Sequence, residues 1–478
     1  MICLRSADTE YGKVRGIEAA DPRITAFKGI PFAAPPVGEN RWRAPQPAKP
    51  WEGIRDCFRF APISIQDTPG VGTDIYCREW HVDPDIEMSE DCLYLNVWTP
   101  AKKADEKLPV VVWFFGGALQ WGYPSEMEFD GERVARRGVV VVSVNYRLAA
   151  LGFMTHPQII KEQPDFPANF GNLDQQFGLQ WVAKNIANFG GDPSNVTIAG
   201  QSAGGGSVMS QIAYKGNEGL FSKAIVQSGM IRFFGDGPSP FSPCSLEEAG
   251  KKGEDFFKVL GVETLEEARK LDAFYIREKY AEYCGDDFTP MGMVKRFMTV
   301  QDNTFAKCDP YTAIVSGDCC NVAIMAGNTA DEFIMPTDNE KLKNVGPIEW
   351  AVKKMAIERK KNGVDCPTYY YRFDADIPGW DNPGTFHSVE LWFFFETLAK
   401  CWRPFVGKHY DLARQMCNYW SNFVKTGDPN GLDADGTEMP KWLPYADGQA
   451  NDMVFGKNGA EAVYKEKEDD VLEELIRG

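Results

Sequence analysis

The chain has 478 residues, 44% of them hydrophobic and 13% aromatic, a globular composition with enough length for a large core. Its 51 Lys and Arg against 68 Asp and Glu give a net charge of −17, which argues against nucleic acid and anionic membrane as partners. The longest apolar runs, 108–115 and 139–144, are far shorter than the roughly 20 residues of a membrane-spanning helix. They are expected as buried strands.

The N-terminus has no basic segment followed by an apolar core, so no secretory signal is read there. The twelve cysteines form neither a dense framework nor a C-x-x-C pair, and the expected location is the cytoplasm. With four histidines and no H-E-x-x-H, neither a metal nor another cofactor is expected. The first 35 residues alternate as strands do and lead into the proline-rich "FKGIPFAAPPVGENRWRAPQPAKPW" (27–51), expected to wrap the surface. Strand patterns recur at 92–98, 108–115, 138–146, 195–200 and 223–229. Continuous β-branched runs alternating with helical patterns such as 174–188 predict a mostly parallel sheet covered on both faces. Beyond 237 the texture turns helical, with capping boxes at Ser245/Glu248 and Thr264/Glu267. Strands return at 321–328 and 368–374, and an aromatic-rich helix follows near 405–424. Late strands completing an early sheet predict one α/β domain over 1–478, with a helical cap at about 238–317 and a short insertion at about 334–367.

Gly200-Gln201-Ser202-Ala203-Gly204 fits G-x-S-x-G between a strand and a helix. A sharp strand-to-helix turn crowds its neighbours, so small residues surround the serine, and the helix N-terminus faces any negative charge that develops there. No phosphate-cradling or dinucleotide fingerprint accompanies it. A nucleophilic serine needs an acid and a histidine later in the chain. His387, in the loop after 368–374, is expected as the base, and His409, within a helix, as a packing residue. The acid is expected just after the strand at 321–328, where Asp331 and Glu332 are adjacent and the spacing leaves the choice open. The loop "WFFGGALQWG" (113–122) follows a strand, and its Gly117 and Ala118, together with Ala203, are the expected amide donors to an oxyanion.

The chain resembles the type B carboxylesterase and cholinesterase family of α/β hydrolases through "SEDCLYLNVWTP" (89–100), "NYRLAALGF" (145–153), "GNLDQQFGLQWV" (171–182) and "FGGDPSNVTIAGQSAGG" (189–205). The likeness runs from about residue 10 to 445. It implies the α/β-hydrolase fold and hydrolysis of carboxylic esters by Ser202, Glu332 and His387, and it chooses Glu332 over Asp331. Three departures stand out. Ala118 occupies the family's third oxyanion glycine, Phe333 the last glycine of its D-E-G pattern, and Gln201 the glutamate that often precedes the serine. The last of these disfavours a cholinesterase-like preference for cations. Secreted members pair the cysteine equivalent to Cys92 with one where this chain has Ser64, although Cys57 or Cys77 remains as a substitute partner.

The expected function is therefore a serine carboxylesterase acting through an acyl-enzyme on small or polymeric esters, with broad specificity that includes aryl and bulky ones, and with an amidase or peptidase on the same triad or a catalytically silent adhesion or binding module of the same family as alternatives. The sequence leaves the oligomeric state open, and a monomer is compatible with it. The short interval between Glu332 and His387 predicts a thin cap and a wide entrance lined by Trp392, Phe393 and Phe394. Trp80 is expected as ordinary packing.

Overall fold

The apolar runs become the strands of one sheet in the computed structural model, which describes residues 3–232, 242–285, 290–333 and 345–477. In chain order these strands are β1 (Ile17–Glu18), β2 (Thr25–Pro31), β3 (Tyr94–Thr99), β4 (Leu108–Phe114), β5 (Val140–Val144), β6 (Gly191–Gln201), β7 (Lys223–Gln227), β8 (Ala323–Thr329), β9 (Thr368–Asp374), β10 (Ala450–Gly456) and β11 (Gly459–Lys465). Their order across the sheet is β11-β10-β9-β8-β7-β6-β4-β5-β3-β2-β1. From β10 to β5 every neighbour is parallel, and the two edges are antiparallel.

The parallel strands read as unbroken apolar runs because both faces are covered. Along β4, Val111 and Trp113 enter one core layer while Val110, Val112 and Phe114 enter the other. The helices Phe170–Asn185, Ala203–Ala213, Pro347–Lys361 and Gly407–Thr426 cover the sheet. This is the α/β-hydrolase architecture expected from the sequence.

Between β7 and β8 lie the helices Leu246–Leu260, Leu265–Lys270, Ala273–Cys284 and Pro310–Ser316, the segment read as a cap. Both expected capping boxes are formed there, with Ser245 and Thr264 accepting from the amides of Glu248 and Glu267. Residues 238–241 and 286–289 of that segment, and 334–344 of the short insertion, lie outside the described residues. Among the described residues no helix is long and apolar enough to cross a membrane.

Three of the sequence motifs supply two structural clamps. Glu90 of "SEDC" takes a bidentate grip from Arg41 at 2.7 and 2.6 Å, tying the proline-rich segment to β3. Arg147 of "NYRL" and Asp174 of "GNLDQQ" are buried together, with Nε and Nη2 donating to the carboxylate at 2.8 and 2.6 Å. Asp174→Ala leaves the guanidinium buried without its counter-ion and is expected to cost about 3–5 kcal/mol of stability. A urea midpoint shifted down at constant slope would show it; an unchanged midpoint would refute it.

Candidate active site

Parallel strands end at one edge of the sheet, and the candidate residues all follow such ends. Ser202 follows β6 at φ +55°, ψ −125°, a strained turn that throws its side chain clear of both strand and helix. The turn closes only because its neighbours are small. A Cβ on Gly200 would meet the Gly204 carbonyl at 2.4 Å, and one on Gly204 would meet the Phe114 carbonyl at 2.1 Å. Gly206 has no such crowding; it lines the cavity instead.

Glu332, after β8, is buried, and its Oε2 lies on Nδ1 of His387. Its other oxygen accepts from the Ser228 hydroxyl at 2.6 Å and from the Thr329 amide at 2.9 Å. The contact with the carboxylate makes Nδ1 the protonated nitrogen of a neutral imidazole, leaving Nε2 as acceptor. Among the described residues no hydrogen bond joins Nε2 to the Ser202 hydroxyl; Nε2 faces the side-chain amide nitrogen of Gln201 at 3.4 Å. Bonds of this kind are commonly long before substrate binds and tighten in the reacting complex.

Asp331 does not face the imidazole. It accepts from the Thr385 amide and hydroxyl at 2.8 and 2.9 Å, bracing the loop that carries His387. His409 is buried, with Nδ1 accepting from the Val406 amide and Nε2 against the Asp376 carbonyl, a packing role as expected.

In the loop after β4, Gly117 has φ +105°, and a Cβ there would lie 2.3 Å from the Trp121 carbonyl, so only glycine fits. Ala118 has φ +55°, inside the small left-handed region open to alanine. Among the described residues neither amide donates to a protein acceptor. Ala203 opens its helix, so its amide also lacks an intrahelical partner. Gly117, Ala118, Ser202, Ala203 and His387 line one cavity of about 700 Å³.

Three features escaped the sequence reading. Ser228, at φ +49° after β7, reaches Glu332 across 104 positions. Phe333 stands at φ +47°, with its ring edge-on to His387 at 4.6 Å between centroids. Glu390, three residues beyond His387, is fully buried, and its carboxyl is pushed well above the usual range by burial and then by the charge of Glu332. Only the unexpected Phe in a glycine position was a signal for any of them.

The expected aromatic entrance is not formed. Trp392, Phe393 and Phe394 belong to the buried helix Leu391–Phe394, packed on Trp80, Phe373 and Trp113, and of that helix only Leu391 touches the cavity. The run is apolar on every side, so it fills the core. The helix Pro347–Lys361 buries Ile348, Val352, Met355 and Ala356 as expected but reaches no part of the cavity. The walls come from the loop holding Asp74, Trp80 and His81 and from Met293, Met298 and Tyr311 of the cap. Trp80 both packs and lines the cavity.

The chain matches the model of the carboxylesterase family over residues 5–346 and 343–472. It is 31% identical to the para-nitrobenzyl esterase of Bacillus subtilis over 487 residues, covering 91% of this chain and 92% of that one. Carboxylesterase 4A of Bos taurus is 30% identical over 519 residues, covering 92% and 89%. Among solved structures, a PNB esterase superposes with a TM-score of 0.80 at 26% identity, covering 99% of this chain and all of its own. The Geobacillus stearothermophilus carboxylesterase EST55 at pH 6.8 gives 0.79 at 28%, covering 96% and 98%. Such likeness over nearly the full length supports an esterase function, and the chain belongs to the carboxylesterase family.

Proposed function

We propose that this protein is a serine carboxylesterase, built as one α/β-hydrolase domain with the helices between β7 and β8 as its cap. Nε2 of His387 takes the Ser202 proton as Oγ attacks the ester carbonyl. The amides of Gly117, Ala118 and Ala203 receive the oxyanion, and Glu332 holds the tautomer and stabilises the imidazolium. His387 returns the proton to the leaving alcohol. Water then attacks the acyl-enzyme by the same route, and no cofactor enters either step. The observation that carries this reading is the Glu332–His387 contact in a cavity shared with the strained Ser202 and three open amides.

A broad range of acyl and aryl groups is supported by the cavity's size, within the roughly 300–1,000 Å³ of small-molecule sites, and by Met209, Met230, Met293 and Met298 in its walls. Methionine side chains adapt to irregular shapes. The test is a series of p-nitrophenyl esters from acetate to benzoate beside p-nitroacetanilide. Turnover of the esters with the anilide at least about a thousandfold slower fits the reading; a favoured anilide or no ester turnover refutes it.

Phe333 keeps a left-handed backbone at a cost of about 1 kcal/mol, and its ring steadies the imidazole by a contact of about 0.5–1.5 kcal/mol. Phe333→Gly relieves that backbone but gives up the ring's packing on the core, so the melting temperature is expected not to rise while kcat/KM falls about tenfold. An unchanged kcat/KM would contradict this role.

A reducing, intracellular setting is supported by the cysteines, all twelve of which are unpaired. Cys92 is buried against Ser64, the position where secreted members carry a disulfide partner, and burial pushes its thiol well up from the ordinary value. Thiol titration of the denatured, alkylation-protected protein is expected to find twelve; ten or fewer would mean a disulfide.

A further inference from the structure

The cavity that holds Ser202 has one acidic wall that ester hydrolysis does not use. In "SEMEF" (125–129) two carboxylates stand two residues apart around the short turn Met127–Phe129, and both line the cavity together with His81. Glu126 Oε1 accepts from the Tyr123 amide at 2.8 Å and faces Nε2 of His81 at 3.3 Å. His81 is stacked on Tyr123, with ring centroids 6.1 Å apart.

Glu128 is fully buried, and among the described residues neither of its carboxylate oxygens has a hydrogen-bond partner. The group that does approach is the second carboxyl, Glu126, and Lys400, whose charge also reaches Glu128, is held by Asp130. Burial first, and the charge of Glu126 second, push the Glu128 carboxyl well above the usual range. Buried acceptors without donors are rare in folded proteins, and where they persist they call for an explanation such as a ligand. Among the described residues lining the cavity, Arg232 is the only Arg or Lys, and it is held by Asp309 at 3.5 Å over the ring of Tyr311. Asp74, exposed on the same cavity, adds to an approach field that favours cations.

Resting on the esterase reading, we propose that Glu126 and Glu128 form a recognition subsite for a primary or secondary ammonium group carried by the ester substrate. The N–H donors of such a group supply the hydrogen bonds that the Glu128 oxygens lack and reach Glu126 beside them, while its alkyl stem lies against Trp80 and Phe129, which line the same cavity. A quaternary ammonium brings the charge without donors, and a hydroxyl brings a donor without the charge. The neutral Gln201 argued against a charge beside the nucleophile; the charge lies instead at positions 126 and 128.

The test is calorimetric titration of the whole protein with hexylammonium, hexyltrimethylammonium and 1-hexanol, followed by inhibition of p-nitrophenyl acetate hydrolysis by hexylammonium. Hexylammonium is expected to bind at least about tenfold tighter than the other two and to inhibit competitively. Glu128→Gln and Glu126→Gln are each expected to bring that preference below about threefold. Equal affinities in the unaltered protein, non-competitive inhibition, or a preference that survives both substitutions overturns the subsite. The comparison of ligands on the unaltered protein decides the matter even if a variant fails to fold. A clear ammonium preference in a protein that leaves p-nitrophenyl acetate intact would keep the subsite and overturn the esterase reading.

Discussion

Ser202→Ala is expected to lower kcat on p-nitrophenyl acetate by about 10⁶, the order of loss when a serine hydrolase is deprived of its nucleophile. In the proposed mechanism this hydroxyl forms the acyl bond, and it sits at a backbone conformation, φ +55° and ψ −125°, held in place by surrounding packing. That strain costs about 1–3 kcal/mol, so the alanine variant, which keeps the same backbone, has no reason to unfold. The open amides of Gly117, Ala118 and Ala203, the proposed oxyanion donors, remain in the variant and are expected to sustain a residual activity. In the unaltered protein a fluorophosphonate is expected to label one residue, Ser202, and in the variant none. Mapping of the label to another serine, or a loss below about a hundredfold, would remove Ser202 from the nucleophile's role.

Glu332→Gln is expected to cost about 10⁴ in kcat, with the fold intact. The reasoning is geometric. Ser228 and Thr329 both donate to Oε1 of Glu332, so in the variant they hold the amide oxygen at that place and turn its NH2 toward Nδ1 of His387. The imidazole must then accept at Nδ1 and carry its proton on Nε2, which leaves nothing to take the Ser202 proton. Asp331→Asn keeps an acceptor for Thr385 and leaves the imidazole's partner unchanged, so a loss under about tenfold is expected. The measurement is kcat/KM for both variants with melting curves as control. Equal losses would return the acid's identity to an open question.

Much of this arrangement was readable in the chain because local physics decides it. The run at 196–199 is apolar at consecutive positions, a pattern that suits a strand covered on both faces, and it lies in β6. The capping boxes at Ser245/Glu248 and Thr264/Glu267 close within one turn, so their hydrogen bonds follow from residues three apart. The helix Pro347–Lys361 begins at a proline, which fits a first turn and nowhere further in. Ser202, Glu332 and His387 could be named as candidates because parallel strands bring their following loops to one edge whatever lies between.

What the sequence did not determine depends on distant partners. Asp331 and Glu332 are neighbours with the same chemistry that spacing could not separate; the family resemblance chose Glu332, and the physical reason is that Ser228, 104 positions away, and Thr385, 54 away, hold one on the imidazole and the other on the loop. Trp392, Phe393 and Phe394 read equally well as a cavity wall or as core, and they are core because Trp113, Phe373 and Trp80 meet them on every side. Phe333 at a glycine position looked like a simple departure until its ring met His387. Nothing in the sequence singles out Glu126 and Glu128; burial pushes the Glu128 carboxyl above its usual range and sets Glu126 against His81, and burial is a property of tertiary structure alone.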